Sequence, residues 1–362
     1  MKSKLIPKGR RSRLFELSDP TWWSLDRRNI PYEHPRDNII RQCLLRLRAK
    51  YYSSTYQRQD DDNLNHVFNQ LVIFDSGGNW VLNKIRNSIA NAINLETSYS
   101  KIDKKVDIGK LVFFEHYLPY CDRFYRGLVS QKSSIVWFTH LRKHSYSLNE
   151  ILFALNNAFL VIFQSKHDYD LLVSMGLKTN SIHIGGGVDE IWNEVVLKNY
   201  TDTSYDFLIS SNNYPRKSPM LYQKLAEQNP DLKFCFLGRG WSHLSSLQNV
   251  TILEIPYDKY PQIFANSKCL LSFSLVEGGP LSLLEAVHCG LTSVISKTGL
   301  YKEYTTHPNV HVLEHLDDIK LTEILEFSKK NRGTKQIQPS WNEFGKMIVS
   351  HINIKIQEFR IE

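Results

Sequence analysis

Residues 277–286 have the sequence Glu-Gly-Gly-Pro-Leu-Ser-Leu-Leu-Glu-Ala, and they follow the apolar run from Cys269 to Ser274. The apolar run predicts a buried strand that ends near Glu277, and Pro280 is typical of the first turn of a helix. The two glycines carry no side chain, so the backbone can approach a ligand closely. Unpaired N–H groups at the start of the predicted helix would suit a phosphate group.

Two carboxylates stand eight positions apart in this stretch. Glu285 lies more than one turn inside the predicted helix, where it could accept hydrogen bonds from two vicinal hydroxyls, such as those of a ribose. A phosphate at the helix start and hydroxyls at both carboxylates together describe a nucleotide-sugar site. The alternative is a buried strand–helix junction whose two glutamates have no ligand role.

The segment Glu277–Gly290, followed by Val294–Ser296, resembles the E-x7-E block of retaining GT-B glycosyltransferases of family 4. Typical members have Glu-Gly-Phe-Gly-Leu-x-Leu-Leu-Glu-Ala-x-x-x-Gly, and here Gly279 and Pro280 stand in place of Phe-Gly. The resemblance extends more loosely over residues 70–355. It implies an α/β protein of GT-B fold, with two Rossmann-like doubly wound domains facing a cleft and a C-terminal helix that crosses back to the first domain.

The composition is that of a globular protein. The chain has 362 residues, 42% of them hydrophobic and 12% aromatic, which is enough for two domains with sizeable cores. No apolar run approaches the roughly 20 residues of a membrane span, and the N-terminus shows no signal-peptide pattern. The five cysteines are scattered and lack paired metal spacing. We therefore expect a cytoplasmic protein.

The net charge of +8 is concentrated at the N-terminus, because residues 1–50 hold 13 Lys or Arg against 5 Asp or Glu. This part also contains Trp22-Trp23 and an amphipathic helical pattern over residues 38–52. Basic residues and tryptophans favour an anionic membrane surface, so the arm could hold the protein on the cytoplasmic face of the membrane. The alternative is that the arm packs on the body of the protein or mediates oligomerisation.

Strand and helix patterns alternate along the rest of the chain, which predicts parallel sheets covered on both faces. The first unit opens with the strand Gln70–Phe74, a glycine turn and the helix Trp80–Ile93, and the pattern restarts at Asp206–Ser210. The expected domains are a basic arm (1–65), an acceptor-side domain (66–196), a nucleotide-sugar-binding domain (205–338) and a C-terminal helix (339–362).

The segment Ser210–Lys217 follows the opening strand of the second domain. Members of the resembled family have Gly-Arg at this strand end and a Lys five residues after the Arg, and both cations bind the diphosphate of the donor. Lys217 matches the Lys, whereas Asn212 stands at the Arg position, and the adjacent Arg216 could supply the missing charge. The alternative is a solvated basic loop. The nearby Gly238-Arg239-Gly240 lacks the third glycine of a dinucleotide fingerprint and is interpreted as a loop near the base.

Two histidines end predicted strands of the first domain. His140 follows Ile135–Thr139 and resembles the family's histidine that contacts the donor sugar across the cleft, while His116 is a rival on a neighbouring strand. Gly77 and Gly78 match a family loop near the diphosphate and acceptor, although they could form an ordinary tight turn.

The resemblance implies a retaining glycosyltransferase that moves a sugar from a nucleotide diphosphate to a glycan or lipid-linked acceptor, in cell-surface polysaccharide or glycolipid synthesis. By resemblance Glu285 would hold the ribose, and Glu277 and His140 would contact the sugar as catalytic residues. The remaining donor-binding residues would be Arg216, Lys217, Gly278, Gly279, Pro280 and Leu281. We expect no metal and no cofactor, since two cations can offset the charge of the leaving diphosphate.

Two other readings remain open. The GT-B fold also serves sugar-nucleotide epimerases and phosphorylases. A non-enzymatic protein that binds nucleic acid or membrane through the basic arm is the alternative from another class. The arm contains no recognised nucleic-acid-binding module, so nucleic acid is not an expected partner.

Overall fold

The computed structural model describes residues 68–359, except 76–79, 108, 142–145 and 318, together with Cys43, Leu44 and Leu47. These three isolated positions are helical, and the rest of the basic arm lies outside the described residues. Gly77 and Gly78 also lie outside them. The described chain forms two compact units, one of residues 68–185 with 341–359 and the other of Gly186–Ser340.

The first unit contains a parallel sheet with the strand order β2-β1-β3-β4-β5-β6. Its inner strands are almost entirely apolar and buried, because helices cover both faces of the sheet. The strands are β1 (Gln70–Phe74), β2 (Glu96–Ser100), β3 (Lys110–Phe114), β4 (Ser134–Phe138), β5 (Leu160–Phe163) and β6 (Ser181–His183), and the helices are α1 (Trp80–Ala92), α2 (Tyr117–Tyr125), α3 (Leu148–Asn156) and α4 (Lys166–Ser174).

The second unit repeats this architecture with the strand order β12-β11-β10-β7-β8-β9, again all parallel. The strands are β7 (Tyr205–Ser210), β8 (Phe234–Leu237), β9 (Val250–Leu253), β10 (Ser267–Ser272), β11 (Thr292–Ser296) and β12 (Val310–Leu313). The helices are α5 (Pro219–Gln228), α6 (Tyr260–Ala265), α7 (Leu281–Cys289), α8 (Tyr301–Tyr304) and α9 (Leu321–Asn331).

The last helix, α10 (Trp341–Phe359), returns to the first unit. Phe344, Ile348 and Ile352 are fully buried in the same core cluster as apolar residues of α1 and the sheet. A Cβ added at Gly345 would lie 2.2 Å from the carbonyl oxygen of Ser88, so α10 and α1 are in close backbone contact there. The predicted α/β class, with two Rossmann-like domains and a returning C-terminal helix, is thus confirmed.

Within the described part of the chain, we find no helix with the length and apolarity that a membrane crossing requires.

Candidate donor-binding site

The candidate residues of the second unit gather at one edge of its sheet. Strands β10, β7, β8 and β9 lie side by side and parallel, so their carboxyl ends meet at the same edge. Ligands of open α/β sheets bind outside this edge. The loops that follow β10, β7 and β8 carry most of the predicted residues of this unit, and Glu285 lies in α7.

Glu277, in the loop after β10, is bound by two cations from the loop after β7. Nη1 of Arg216 lies 2.8 Å from Oε2 of Glu277, and Nζ of Lys217 donates to the same oxygen. The Ser274 hydroxyl lies 3.4 Å from that oxygen. The exposed fractions of the three charged side chains are 27% for Arg216, 14% for Lys217 and 10% for Glu277. The structure therefore brings these three predicted residues together in a partly desolvated ion cluster.

The backbone holds the two cations in place. Arg216 and Lys217 lie in a short 3-10 helix, and the amide of Leu275 donates to the carbonyl oxygen of Arg216 at 2.7 Å. Ser218, the next residue, adopts the left-handed conformation (φ 55°, ψ 48°), which turns the chain into α5. Burial lowers the pKa of Lys217, and the neighbouring Glu277 acts in the opposite direction.

The loop from Glu277 to Leu281 leads directly into α7. Pro280 is the N-cap residue of this helix rather than its first helical residue, and its carbonyl oxygen accepts from the amide of Leu283 at 3.1 Å. The N-cap residue Pro280 makes no side-chain hydrogen bond, and the amides of Leu281 and Ser282 precede the first intrahelical hydrogen bond. Gly299 packs against the loop, since a Cβ there would lie 3.1 Å from the carbonyl oxygen of Gly278.

Glu285 lies in a separate, buried cluster. It is 3% exposed, and the Tyr257 hydroxyl donates to its Oε1 at 2.5 Å. The indole Nε1 of Trp192 lies 2.9 Å from the Tyr257 oxygen. Burial raises the pKa of Tyr257 well above its usual range, and the carboxylate of Glu285 raises it further. The sequence predicted a ligand role for Glu285, but not the hydrogen bonds that connect it to Tyr257 and, through Tyr257, to Trp192.

Asn212, at the position of the family's arginine, joins two loops. Its Oδ1 accepts from the amide of Arg239 at 2.8 Å, and the amide of Asn213 donates to the carbonyl oxygen of Arg239 at 2.8 Å. Gly238 adopts φ +140°, and a Cβ there would lie 2.5 Å from the Ser211 carbonyl oxygen. The loops after β7 and β8 are therefore fixed to each other by close contact and paired hydrogen bonds.

The two histidines of the first unit differ in their surroundings. His116 is the N-cap of α2: its Nδ1 accepts from the amide of Leu118 at 3.1 Å, and its ring stacks on Tyr117 with centroids 4.9 Å apart. These contacts give His116 a structural role. His140 lies two residues after β4 and is partly buried, and its contact with a donor sugar stays a prediction.

Two parallel six-stranded sheets with flanking helices form two Rossmann-like units, the architecture of the GT-B fold. Residues 220–335 match the family model "Glycosyl transferases group 1", which confirms the resemblance to that group over this part of the second unit. No curated protein matches the sequence.

Similar solved structures cover both units. Anabaena Alr3699/HepE in complex with UDP is 13% identical over 80% of this chain and 97% of its own, with a TM-score of 0.56. The N-terminal domain of Candida albicans trehalose-6-phosphate phosphatase is 10% identical over 81% and 98%, with a TM-score of 0.54. Sucrose-phosphate synthase from Thermosynechococcus elongatus is 11% identical over 81% and 98%, with a TM-score of 0.53. These similarities establish the fold.

Proposed function

We propose that this protein is a retaining glycosyltransferase that moves a sugar from a nucleotide diphosphate to a glycan or lipid-linked acceptor. The observation that carries the proposal is the convergence of Arg216 and Lys217 on Glu277 at the start of α7, with the buried Glu285 eight residues further on. This arrangement offers cations to a diphosphate and carboxylates to sugar hydroxyls. Glu277 and Glu285 lie within residues 220–335, which match the group 1 family model, and Arg216 and Lys217 lie just before that range.

Each part of the donor is assigned to a group of residues. Arg216, Lys217 and the first amides of α7 bind the diphosphate, because cations and unpaired N–H groups both stabilise phosphate charge. Glu285 accepts hydrogen bonds from the ribose hydroxyls. Glu277 contacts the transferred sugar.

In the proposed reaction the bond between the sugar carbon and the phosphate oxygen breaks, and a bond from the acceptor oxygen to the same face of that carbon forms. The acceptor proton passes to the departing phosphate. The two cations stabilise the negative charge that develops on the diphosphate, so no metal is required. Glu277 is engaged with these cations and orients hydroxyls rather than attacking the sugar.

Donor turnover tests the proposal. UDP-sugars are the first donors to try, because a solved structure of similar fold holds UDP-glucose. Release of the nucleoside diphosphate should require a sugar donor, persist with EDTA and give a product with the anomeric configuration of the donor. An epimerase would instead return an altered nucleotide sugar, and a phosphorylase would depend on inorganic phosphate.

The Glu285→Ala substitution tests the assignment of Glu285 to the ribose of the donor. Loss of a charge-assisted hydrogen bond to a ribose hydroxyl should weaken donor binding by about 1.5–3 kcal/mol, roughly 10- to 150-fold. A folded Glu285→Ala variant with the wild-type affinity for nucleoside diphosphates would contradict the assignment.

We further propose that the basic arm places the enzyme on the cytoplasmic face of an anionic membrane, where lipid-linked acceptors of polysaccharide or glycolipid synthesis are found. The support is the excess of 13 basic over 5 acidic residues in the first 50. Each basic residue near an anionic leaflet contributes about 1 kcal/mol. Flotation with anionic and neutral liposomes, comparing the full chain with a version that starts at Asn63, tests this. Flotation that ignores lipid charge or persists without the arm would refute it.

A further inference from the structure

Glu285 accepts from a chain of partly buried hydrogen bonds. Trp192, Tyr257 and Glu285 are separated along the sequence, yet the Trp192 nitrogen lies 2.9 Å from the Tyr257 oxygen, and that oxygen lies 2.5 Å from Oε1 of Glu285. Trp192 is fully buried, and its ring packs edge-on against Phe264 with centroids 4.7 Å apart. The chain of bonds therefore starts from a side chain that is fixed by packing.

The direction of these hydrogen bonds follows from the groups themselves. An indole N–H can only donate, and an ionised carboxylate can only accept. The Trp192 N–H must therefore donate to the Tyr257 oxygen, and the one hydroxyl hydrogen of Tyr257 goes to Glu285. Burial and the nearby Glu285 carboxylate both raise the pKa of Tyr257, which keeps this hydrogen in place at neutral pH.

A fixed donor on one carboxylate oxygen sets the plane of the carboxylate. A ribose offers two adjacent hydroxyls, and a carboxylate already held in one orientation loses less conformational entropy when it binds both. Ligand sites gain affinity when such a side chain is locked by a supporting hydrogen bond before the ligand arrives.

We propose that Tyr257, held by Trp192, is a positioning residue that orients Glu285 for the two ribose hydroxyls of the donor nucleotide. This inference rests on the proposed function. The three residues come from three segments of the second unit: Trp192 from its start, Tyr257 from the loop after β9, and Glu285 from α7.

The test compares ribose and dideoxyribose ligands. The uridine, guanosine and adenosine diphosphates are titrated calorimetrically against the wild type. The one that binds most tightly is then compared with its 2′,3′-dideoxy form in the wild type and in Tyr257→Phe. The variant should lose about 10- to 100-fold in affinity for the ribonucleotide, the range of a charge-assisted hydrogen bond, and should bind the dideoxy form like the wild type. In a Glu285→Ala background, Tyr257→Phe should have no further effect.

Tyr260→Phe is the matched control. Its ring centroid lies 5.3 Å from that of Tyr257, and the bond to Glu285 comes from Tyr257. This control should leave both affinities unchanged. If Tyr257→Phe does not fold, Trp192→Phe serves the same comparison, because it removes the donor that fixes Tyr257.

The outcomes separate the two proposals. If folded Tyr257→Phe loses the same affinity for the ribose ligand as for the dideoxyribose ligand, Tyr257 merely supports its loop. This result would overturn the inference. A wild-type protein that binds no nucleoside diphosphate would overturn the proposed function, and the inference with it.

Discussion

Replacing Glu277 with Gln should change stability and ligand affinity in opposite directions. Arg216 and Lys217 both bond to the same oxygen of this carboxylate, and none of the three side chains is more than 27% exposed. Breaking a buried ion pair costs about 3–5 kcal/mol, since the remaining charge is left without a partner. Because the cluster is partly exposed, we expect about 3 kcal/mol, at the lower end of that range. For a domain of this size the melting temperature should fall by roughly 6–12 °C, at about 2–4 °C per kcal/mol.

The same substitution leaves two cations without their carboxylate, and a diphosphate can then take its place. The affinity for a nucleoside diphosphate should therefore stay the same or rise by up to about tenfold, equivalent to ~1.4 kcal/mol. A ligand at 100 times its dissociation constant stabilises the fold by about 2.7 kcal/mol, so it should restore most of the lost melting temperature. Sugar transfer should be lost, because Glu277 is proposed to contact the sugar.

The melting temperature is measured with and without the nucleoside diphosphate. Calorimetric titration gives the affinity, and a transfer assay gives the rate of sugar transfer. Glu314→Gln is the matched control: Glu314 pairs with Lys297 at 2.7 Å, but the two side chains are 67% and 44% exposed. An exposed ion pair contributes little to the stability of the fold, so the Glu314→Gln variant should melt like the wild type. An unchanged melting temperature for Glu277→Gln, combined with weaker diphosphate binding, would refute the reasoning.

Three further predictions concern protonation and packing. Burial lowers the pKa of Lys217, so diphosphate affinity should be present below that pKa and lost as the pH rises through it. Lys217→Arg should keep its affinity to higher pH than the wild type, because an arginine stays protonated, and identical pH profiles would argue against Lys217 as the ligand. Burial, and to a smaller extent Lys335, lowers the pKa of His288. The unfolded chain therefore takes up this proton first, and the free energy of unfolding should drop as the pH falls below about 6.5. Urea unfolding at pH 7.5 and 5.5 should show a smaller drop for His288→Gln than for the wild type. Gly345→Ala should destabilise the protein by about 1–3 kcal/mol or more through overpacking. Gly185→Ala, where an added Cβ meets nothing within 4 Å, should melt like the wild type.

Much of the fold could be predicted because buried parallel strands are continuous apolar runs. β4, with the sequence Ser-Ile-Val-Trp-Phe, is fully buried and was predicted from its composition. β2 was missed, since Glu-Thr-Ser-Tyr-Ser lacks an apolar face and lies at the edge of its sheet, where one side needs no partner.

The elements that carry the candidate residues could be predicted where these residues are neighbours in sequence. Glu277 and Glu285 stand in one ten-residue stretch, and the strand–loop–helix pattern put the first before α7 and the second inside it. The hydrogen bond from Trp192 to Tyr257 spans 65 residues, and no local pattern connects two such positions. The role of Asn212 was hidden for a similar reason, because its partner Arg239 lies 27 residues away in the next loop.

The return of α10 to the first unit sets the order in which the protein can be completed during synthesis. The last strand of the first unit ends at His183, and α10 begins at Trp341. At about 5–20 residues per second, the ribosome needs roughly 8–30 s to make the intervening chain. Throughout that interval the apolar face of α1 lacks the side chains of Phe344, Ile348 and Ile352. The described residues of the second unit, Gly186–Ser340, are continuous in sequence, so this part of the protein can close first. The unit that leaves the ribosome first is therefore the last to be completed, and its uncovered face is where a chaperone would be needed.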